Sequence, residues 1–330
     1  MSLLRLRTAG RGMVPSLART DIPDMPPEIV DPSSVFNPGA VLVDGVTYLL
    51  LRVQTRGRRT FTVPARGDGL VFEVARRPVD FTGFNLSIFH NYDPRITRLD
   101  DEILVTTALD TEDGCRLAIW RPAGGDDGYC GLTRLDLAGM SVHPDTRNGV
   151  IFPEKVDGRH LMLERPNRTD APGQPGSGTS IVMSATHDFE IWEDLGPVMA
   201  GRPHYWDELI GPGPPPMKTR EGWLLVYHGI ATHFASSNIY QAGAVLLDLD
   251  DPTRVIARTR DNILEPRESW ELTGQVPNVV FPSGLTVATL DEEGFAPPSA
   301  EVRVYYGAAD TCVGLAIATV SDLVDACLNS

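Results

Sequence analysis

A lysine and a histidine ten positions apart, Lys218 and His228, combine residue types and spacing that suit chemistry on a small anion. Lys218 follows three consecutive prolines with one residue between, and prolines fix φ and donate no backbone hydrogen bond, so its approach is extended and rigid. His228 ends an apolar run that begins at Trp223, which predicts a strand. An ammonium and an imidazole at the edges of two rigid elements can face one ligand. A solvated lysine and a structural strand-end histidine are the alternative.

Carboxylates form a second group of candidates. Asp93 precedes Pro94, which predicts extended backbone at Asp93, and Arg95 would share a face with it on a continuing strand. A turn-forming aspartate with a nearby ion pair is an equally simple interpretation. Three more aspartates stand beside glycine, tryptophan or alanine: Asp68, Asp207 and Asp310. For Asp68 and Asp310 a plain turn is the alternative to a ligand contact.

Strands separated by Gly- and Pro-rich turns must position these residues, because helical periodicity is scarce and the apolar runs are short and alternating. Five segments repeat one pattern, a turn and then an alternating strand that ends in a polar residue. They begin at Val43, Leu99, Val156, Arg220 and Ala300, at intervals of 56, 57, 64 and 80 residues. Each interval fits one four-stranded sheet with its loops, so the repeats predict an all-β, five-bladed β-propeller. A sandwich or two small β domains is the alternative.

In a propeller, the polar residues that end the repeated strands would converge on one axial pocket. These residues are Arg52, Thr107, Arg165, His228 and Asp310.

Composition limits the classes of partner. The formal charge of −15 argues against nucleic acid or an anionic membrane, so any anion site must be a local basic cluster. No apolar run approaches the ~20 residues of a membrane span. Four widely spaced cysteines without a CxxC pair indicate neither a zinc ribbon nor a disulfide framework, and favour a cytoplasmic protein with reduced thiols.

Two segments are set apart from the repeats. Residues 1–34 carry Arg5, Arg7, Arg11 and Arg19, and we expect an N-terminal arm here that contacts a second copy in a homo-oligomer, ahead of a single propeller domain over residues 35–330. The loop Pro166–Ser180 contains a Gly-Ser-Gly run but lacks the Gly-Lys-Ser/Thr ending of a phosphate loop, so it is interpreted as a connection between strands.

Ten short motifs, in order, carry a family resemblance. Over residues from about Val35 to Asn329 the chain resembles the family 130 glycoside phosphorylases, which are five-bladed propellers acting on β-mannosides. The motifs are VFNPGA from Val35, LLLRV from Leu49, NYDPRIT from Asn91, RNGVIFPEK from Arg147, LERP from Leu163, YWDELIGPGPPPMKT from Tyr205, GWLLVYHG from Gly222, LLDLDDP from Leu246, NVVFPSG from Asn278 and YYGAADT from Tyr305.

The resemblance implies roles for individual residues. Asp93 matches the catalytic acid of the family. The positions that match its phosphate ligands are Arg147, Arg165, Lys218 and His228. Positions matching the mannosyl pocket are Asn37, Arg52, Asp68 and Asp310, with Asp207 in a segment that contacts either the sugar or the loop beneath it. Inorganic phosphate would be the co-substrate, with no metal or organic cofactor.

The implied reaction is inverting phosphorolysis of a β-mannoside, such as β-1,4-mannosylglucose or a related manno-oligosaccharide, to α-mannose 1-phosphate. The segments YDPR, YWDE and AADT resemble the mannosylglucose phosphorylase branch most, whereas Ala65–Gly69 and Glu164 depart from the common pattern. A β-mannosidase on the same fold would need a second carboxylate to activate water. A non-catalytic, sugar-binding propeller is the alternative from another class of protein.

Overall fold

A computed structural model describes residues 6–8, 14–125, 127–167, 178–233 and 237–330, with only the backbone of residues 7 and 8. Arg5 and Arg11 of the predicted arm lie outside the described residues, as do the side chain of Arg7 and residues 168–177 of the predicted connecting loop.

The described residues are folded almost entirely into β-strands. In chain order the strands are β1 (Arg7–Thr8), β2 (Ser34–Val43), β3 (Val46–Gln54), β4 (Thr60–Gly67), β5 (Phe72–Val74), β6 (Asp80–Thr82), β7 (Ile88–Leu99), β8 (Glu102–Thr111), β9 (Gly114–Pro122), β10 (Arg134–Met140), β11 (Thr146–Ile151), β12 (His160–Pro166), β13 (Ser180–Thr186), β14 (Trp192–Ala200), β15 (Leu209–Pro212), β16 (Met217–Thr219), β17 (Gly222–Ala231), β18 (Ile239–Leu247), β19 (Val255–Arg258), β20 (Val280–Val287), β21 (Glu301–Ala308) and β22 (Cys312–Thr319). A 3₁₀ turn spans Arg19–Asp21, and two α-helices are α1 (Ser269–Leu272) and α2 (Val320–Leu328).

These strands form five sheets, the blades of a β-propeller. Blade 1 has the order β2-β3-β4-β5, blade 2 β7-β8-β9-β10-β6, and blade 3 β11-β12-β13-β14. Blade 4 has the order β15-β17-β18-β19, with β16 also paired to β17, and blade 5 β20-β21-β22-β1. The five repeats found in the sequence are the second strands of the blades, β3, β8, β12, β17 and β21. The predicted five-bladed propeller is therefore confirmed.

Apolar cores lie between neighbouring blades and hold the ring together. Between blades 3 and 4, for example, the ring of Phe152 meets that of Trp223 edge to face at 5.1 Å. Leu17, Met25 and Ile29 of the N-terminal segment are buried in the core shared by blades 1 and 5, and β1 pairs with β22. The described N-terminal residues thus pack on the ring where the first and last blades meet. The domain boundary at residue 34 stays a prediction.

The periodicity of the sequence did not predict α2, which directly follows the last strand. Its N-terminus is capped by the Thr319 hydroxyl, which accepts the backbone N–H of Asp322 at 3.2 Å, and its apolar face packs on the core shared by blades 4 and 5. No helix in the described ranges is long and apolar enough to cross a membrane.

A bulge interrupts the innermost strands of blades 1, 2 and 3 at equivalent places. In each bulge the inner strand advances by three residues while its partner strand advances by two. The displaced residues are Asn37, Asp93 and Asn148, with φ of 45°, 54° and 56°, respectively. The predicted extended geometry of Asp93 is therefore wrong. The bulge puts Asp93 in the left-handed region that Asn and Asp tolerate best among residues with a Cβ.

Candidate active site

A cavity of about 340 Å³ opens where the innermost strands begin and the second strands end. Every blade contributes to its wall, which places the cavity on the propeller axis. Its lining residues are Asn37, Arg52, His90, Tyr92, Asp93, Asp110, Arg147, Asn148, Arg165, Tyr240, Val276, Val279, Phe281 and Asp310.

Asp93 is the most tightly held carboxylate in the cavity. Its side chain is 11% exposed, and Oδ1 accepts hydrogen bonds from Asn37 Nδ2 at 2.9 Å and Arg52 Nη1 at 2.8 Å. Burial opposes ionisation, but the charges of Arg52 and Arg95 and these two hydrogen bonds outweigh it and hold the pKa of Asp93 below its usual value. In the free protein Asp93 is therefore a carboxylate at neutral pH.

Two aromatic rings fix the position of Arg52. The guanidinium carbon lies 4.5 Å from the ring centre of Phe36 and 4.7 Å from that of Tyr92, so the planar cation is stacked between them. The Tyr92 hydroxyl donates to Asp110 Oδ1 at 2.8 Å, which fixes this ring in turn. Aromatic neighbours from two blades thus fix Arg52 in its ion pair with Asp93.

Arg147 and Arg165 face each other directly across the β11–β12 ladder. The Nε atoms of both are buried without a hydrogen-bond partner, and no carboxylate of the described residues lies within 4.0 Å of either guanidinium. Burial and the neighbouring charge of Arg147 lower the pKa of Arg165. Two adjacent arginines that have no ion-pair partner among the described residues have the chemistry to bind an anion at this cavity.

His228 lies behind this pair and does not line the cavity. It is 0% exposed, its ring packs on Phe281 at 4.6 Å, and burial and the charges of Arg165 and Arg95 keep its pKa well below the usual value, so the imidazole is neutral. Neither ring nitrogen has a hydrogen-bond partner among the side chains that the structure describes. Gly211, opposite His228 on β15, permits this arrangement, because a Cβ there would lie 2.4 Å from His228 Cε1 and 3.0 Å from Arg165 Cδ.

Asp310 supplies a further carboxylate to the cavity, besides Asp93 and Asp110. It follows β21 with φ of 50° and makes no hydrogen bond or ion pair with any described side chain. Burial raises its pKa to about 6, with the charge of Asp93 adding to the effect and that of Arg52 opposing it. Asp310 is therefore an open hydrogen-bonding group for a ligand.

Thr107 is the strand-end residue of blade 2 that the structure does not bring to the cavity. Its hydroxyl accepts a hydrogen bond from Trp120 Nε1 at 2.8 Å and lies in the blade interior. The predicted convergence thus holds for Arg52, Arg165 and Asp310, whereas His228 lies just behind the wall.

The structure does not bring Lys218 to the cavity, contrary to the expectation that it faces one anion with His228. Lys218 pairs with Trp223 in the sheet, five residues before His228 on the continuous strand β17, a separation of roughly 16 Å. Its Nζ instead donates to both carboxylate oxygens of Glu154, at 2.6 and 2.8 Å. The distance along β17 therefore separates the lysine from the histidine, which lies behind the cavity wall.

Asp68 and Asp207 are also outside the cavity. Asp68 is exposed in a turn, where Oδ1 accepts the backbone N–H groups of Leu70 and Val71 at 2.9 and 2.8 Å. Asp207 is 0% exposed and bonded to arginine and tyrosine side chains within blade 4, including Arg202 Nη2 at 2.7 Å. Each carboxylate accepts hydrogen bonds from its own segment and neither lines the cavity, so the geometry does not support a sugar contact by either.

Several cavity residues were not singled out in the sequence. The sequence contained a signal for Asn148, because Asn148-Gly149 occupies in blade 3 the bulge that is equivalent to Asn37-Pro38 in blade 1 and Asp93-Pro94 in blade 2. For the others only the folded chain shows their position: His90, Tyr92, Asp110, Tyr240, Val276, Val279 and Phe281.

Fold and cavity together define a five-bladed propeller with a polar axial cavity lined by carboxylates and arginines. Over residues 20–329 the chain matches the family of β-1,4-mannooligosaccharide phosphorylases, glycoside hydrolase family 130. The chain belongs to this family, as the motifs indicated, and is an enzyme of the glycoside phosphorylase class.

Similar proteins differ in the linkage their names specify. A 1,2-β-oligomannan phosphorylase of Thermoanaerobacter is 31% identical over 88% of this chain and 92% of its own length. A β-1,4-mannooligosaccharide phosphorylase of Ruminococcus albus is 32% identical over 78% of this chain and 70% of its own. The solved β-1,2-mannobiose phosphorylase of Listeria innocua, in complex with β-1,2-mannobiose, has the same fold, with a TM-score of 0.82 and 24% identity over 98% of this chain and 100% of that one.

Proposed function

We propose that the protein catalyses phosphorolysis of a β-mannoside with inversion, releasing α-mannose 1-phosphate and a shortened acceptor. The observation that carries the proposal is the opposed pair Arg147 and Arg165, which has no described carboxylate partner and lies in the same cavity as the Asp93 carboxylate.

Phosphate would bind at this pair. Planar guanidinium groups bind oxyanions through two parallel hydrogen bonds, and a bound anion also relieves the repulsion between the two neighbouring cations. The neutral imidazole of His228, against Arg165, is available as a further hydrogen-bonding group behind the arginines. Lys218 takes no part in this site, because it pairs with Glu154 and does not line the cavity.

Asp93 would supply the proton. A phosphate oxygen attacks the anomeric carbon, the bond from that carbon to the acceptor oxygen breaks, and the acceptor leaves with a proton that starts on Asp93 and passes through a sugar hydroxyl. Asp93 is ionised in the free protein, and a phosphate at Arg147 and Arg165 opposes the positive charges that keep it so. Phosphate binding therefore raises the pKa of Asp93 and favours the protonated acid that the reaction needs.

The mannosyl unit would lie between Asp93 and the open carboxyl group of Asp310. Asn37 and Asn148, displaced into the cavity by their bulges, are uncharged groups suited to sugar hydroxyls. Phosphate is itself the nucleophile, so this reaction needs no base to activate water, and no metal or organic cofactor takes part.

Hydrolysis is the second candidate function, and Asp310 is the observation that favours it. A second carboxyl group at the cavity, without a described partner and with a pKa of about 6, is the feature that an inverting β-mannosidase requires. The unpaired arginines favour phosphorolysis over this alternative, because a hydrolase has no use for an anion site.

The deciding experiment measures mannose 1-phosphate and free mannose with and without inorganic phosphate. The panel contains β-1,4-mannosylglucose, β-1,4-mannobiose, mannosyl-N-acetylglucosamine and β-1,2-mannobiose, since relatives act on both linkages. We expect phosphate-dependent release of mannose 1-phosphate. Equal release of free mannose without phosphate would establish the hydrolase, and binding without any product would establish a sugar-binding protein.

A further inference from the structure

We propose that Arg95, which lies beneath the cavity without lining it, is a positioning residue for Asp93: it fixes the Asp93 bulge against the opposite side of the ring and keeps a positive charge beside the carboxylate. The inference rests on the proposed function only in giving Asp93 the role of acid.

The hydrogen bonds of Arg95 join the bulge to a distant segment. Its Nη1 donates to the backbone oxygens of Asp93 and Pro94 at 3.0 and 3.3 Å, and its Nε donates to the backbone oxygen of Gly213 at 2.7 Å. Gly213 lies between β15 and β16 at the start of the proline-rich run that precedes Lys218. One guanidinium therefore links both carbonyl groups of the bulge to the rigid proline-rich segment.

This link crosses the propeller axis. Arg95 belongs to blade 2 and Gly213 to blade 4, and in a ring of five these two blades are not neighbours. The guanidinium also lies 5.4 Å from the ring centre of Phe281 in blade 5, whose side chain lines the cavity. Arg95 thus lies beneath the residues that line the cavity and contacts blade 4 and blade 5 as well as its own blade 2.

Three backbone carbonyl groups do not require a cation, since a neutral amide can donate to them. Arg95 is nevertheless charged and 1% exposed, with Nη2 unpartnered and no carboxylate within 4.0 Å in the described part of the chain. Burial lowers its pKa to about 10, which leaves it protonated at neutral pH. The buried charge of Arg95 stabilises the ionised form of Asp93.

The other groups that face Asp93 come from every neighbouring blade. Arg52 is bonded to it directly, and the rest act through the cavity: Arg147, Arg165, Tyr240 and Asp310. Arg95 is the only described cation in contact with the bulge that is not itself at the cavity surface, so its charge acts before any ligand binds. It biases Asp93 toward the carboxylate until phosphate arrives.

The test compares Arg95→Gln and Arg95→Met, which remove the charge, with Arg95→Lys, which keeps it. Methionine suits the site because replacing a buried charge by an apolar group of similar size is often tolerated. Removing a positive charge raises the pKa of Asp93, so both neutral variants should move the alkaline limb of kcat/KM for the mannoside to higher pH by about one unit. Arg95→Lys should keep the wild-type limb while its kcat falls.

Carboxylate NMR of aspartate-labelled protein, with Asp93→Asn to identify the signal, measures the same pKa without any turnover. It separates the two proposals: a wild type that makes no mannose 1-phosphate defeats the function, whereas an unchanged Asp93 pKa in the neutral variants defeats the role of Arg95. Failure of both neutral variants to fold while Arg95→Lys folds would assign Arg95 to the fold alone and also overturn the inference.

Discussion

Arg147 and Arg165 occupy directly opposed positions on β11 and β12, with like charges side by side and no described carboxylate between them. Like charges directly opposite each other destabilise an antiparallel pair. Burial and the charge of Arg147 lower the pKa of Arg165, and a perturbed charge of this kind in a cavity is typical of a functional site.

Removing one arginine of this pair should weaken phosphate binding without lowering the stability of the protein. Arg165→Gln should raise the KM for phosphate by about 10- to 100-fold, because a charge-assisted interaction is lost. The same change should leave the melting temperature in phosphate-free buffer unchanged or higher, since burial and the charge of Arg147 disfavour the charged form of Arg165 in the folded protein. Differential scanning calorimetry with and without phosphate checks this, and a wild type that phosphate does not stabilise would contradict the assigned site.

Lys218→Ala should have the opposite effect, lowering the stability of the protein without weakening phosphate binding. Because Lys218 pairs with Glu154 about 16 Å along β17 from His228, the KM for phosphate should equal that of the wild type. Loss of this half-exposed ion pair should lower the free energy of unfolding by about 0.5 kcal/mol. Phosphate-saturation kinetics on Lys218→Ala and on its partner variant Glu154→Gln decide the point, and a raised KM in Lys218→Ala alone would restore the lysine to the site.

Asp93→Asn should abolish proton donation while keeping the fold. The amide retains the size of the carboxyl group, so we expect kcat to fall by about 10²- to 10⁴-fold with little change in mannoside affinity. Activity assays and isothermal titration calorimetry test the two parts separately. Near-normal turnover would exclude Asp93 as the acid.

Gly211→Ala should disrupt both phosphate-side residues at once. The added Cβ would overlap His228 Cε1, at 2.4 Å, and displace Arg165 Cδ, at 3.0 Å, with an overpacking cost of about 1 to 3 kcal/mol. The KM for phosphate should rise together with the loss of stability. Gly57→Ala is the matched control, because a Cβ there meets nothing closer than 3.9 Å. Urea denaturation and phosphate kinetics on both variants provide the comparison.

Asp310 should make stability depend on pH with a definite sign. Its pKa is raised from 3.8 to about 6, so between these values the folded protein binds more protons than the unfolded chain, and the free energy of unfolding falls as pH rises. Asp310→Asn removes this loss of stability at higher pH, because an amide does not ionise. The variant should be more stable than wild type by about 2 to 3 kcal/mol at pH 8 and no more stable at pH 4. Denaturation at both pH values measures the difference, and a constant difference would refute the raised pKa.

Much of the fold was readable from the sequence because its signals are local. A turn followed by period-two alternation defines a strand wherever it occurs, and the five occurrences proved to be the second strands of five blades. The ends of three of these strands supplied Arg52, Arg165 and Asp310 to the cavity. The prediction for Thr107 was wrong because a residue at the end of a strand can also face the blade interior. There the Thr107 hydroxyl accepts a hydrogen bond from Trp120.

The sequence by itself determined the all-β class, the blade count and, through its motifs, the family and the carboxylate–arginine inventory. Tertiary structure alone decided which of those residues meet. Lys218 and His228 are ten positions apart, yet Lys218 lies on β16 opposite Trp223, five residues along β17 from His228, whereas Arg147 and Arg165, separated by a whole hairpin, are direct neighbours. It also decided the left-handed bulge at Asp93 and the span of Arg95 across the axis to Gly213, because register and ring closure arise from contacts between blades and not from any single stretch of chain.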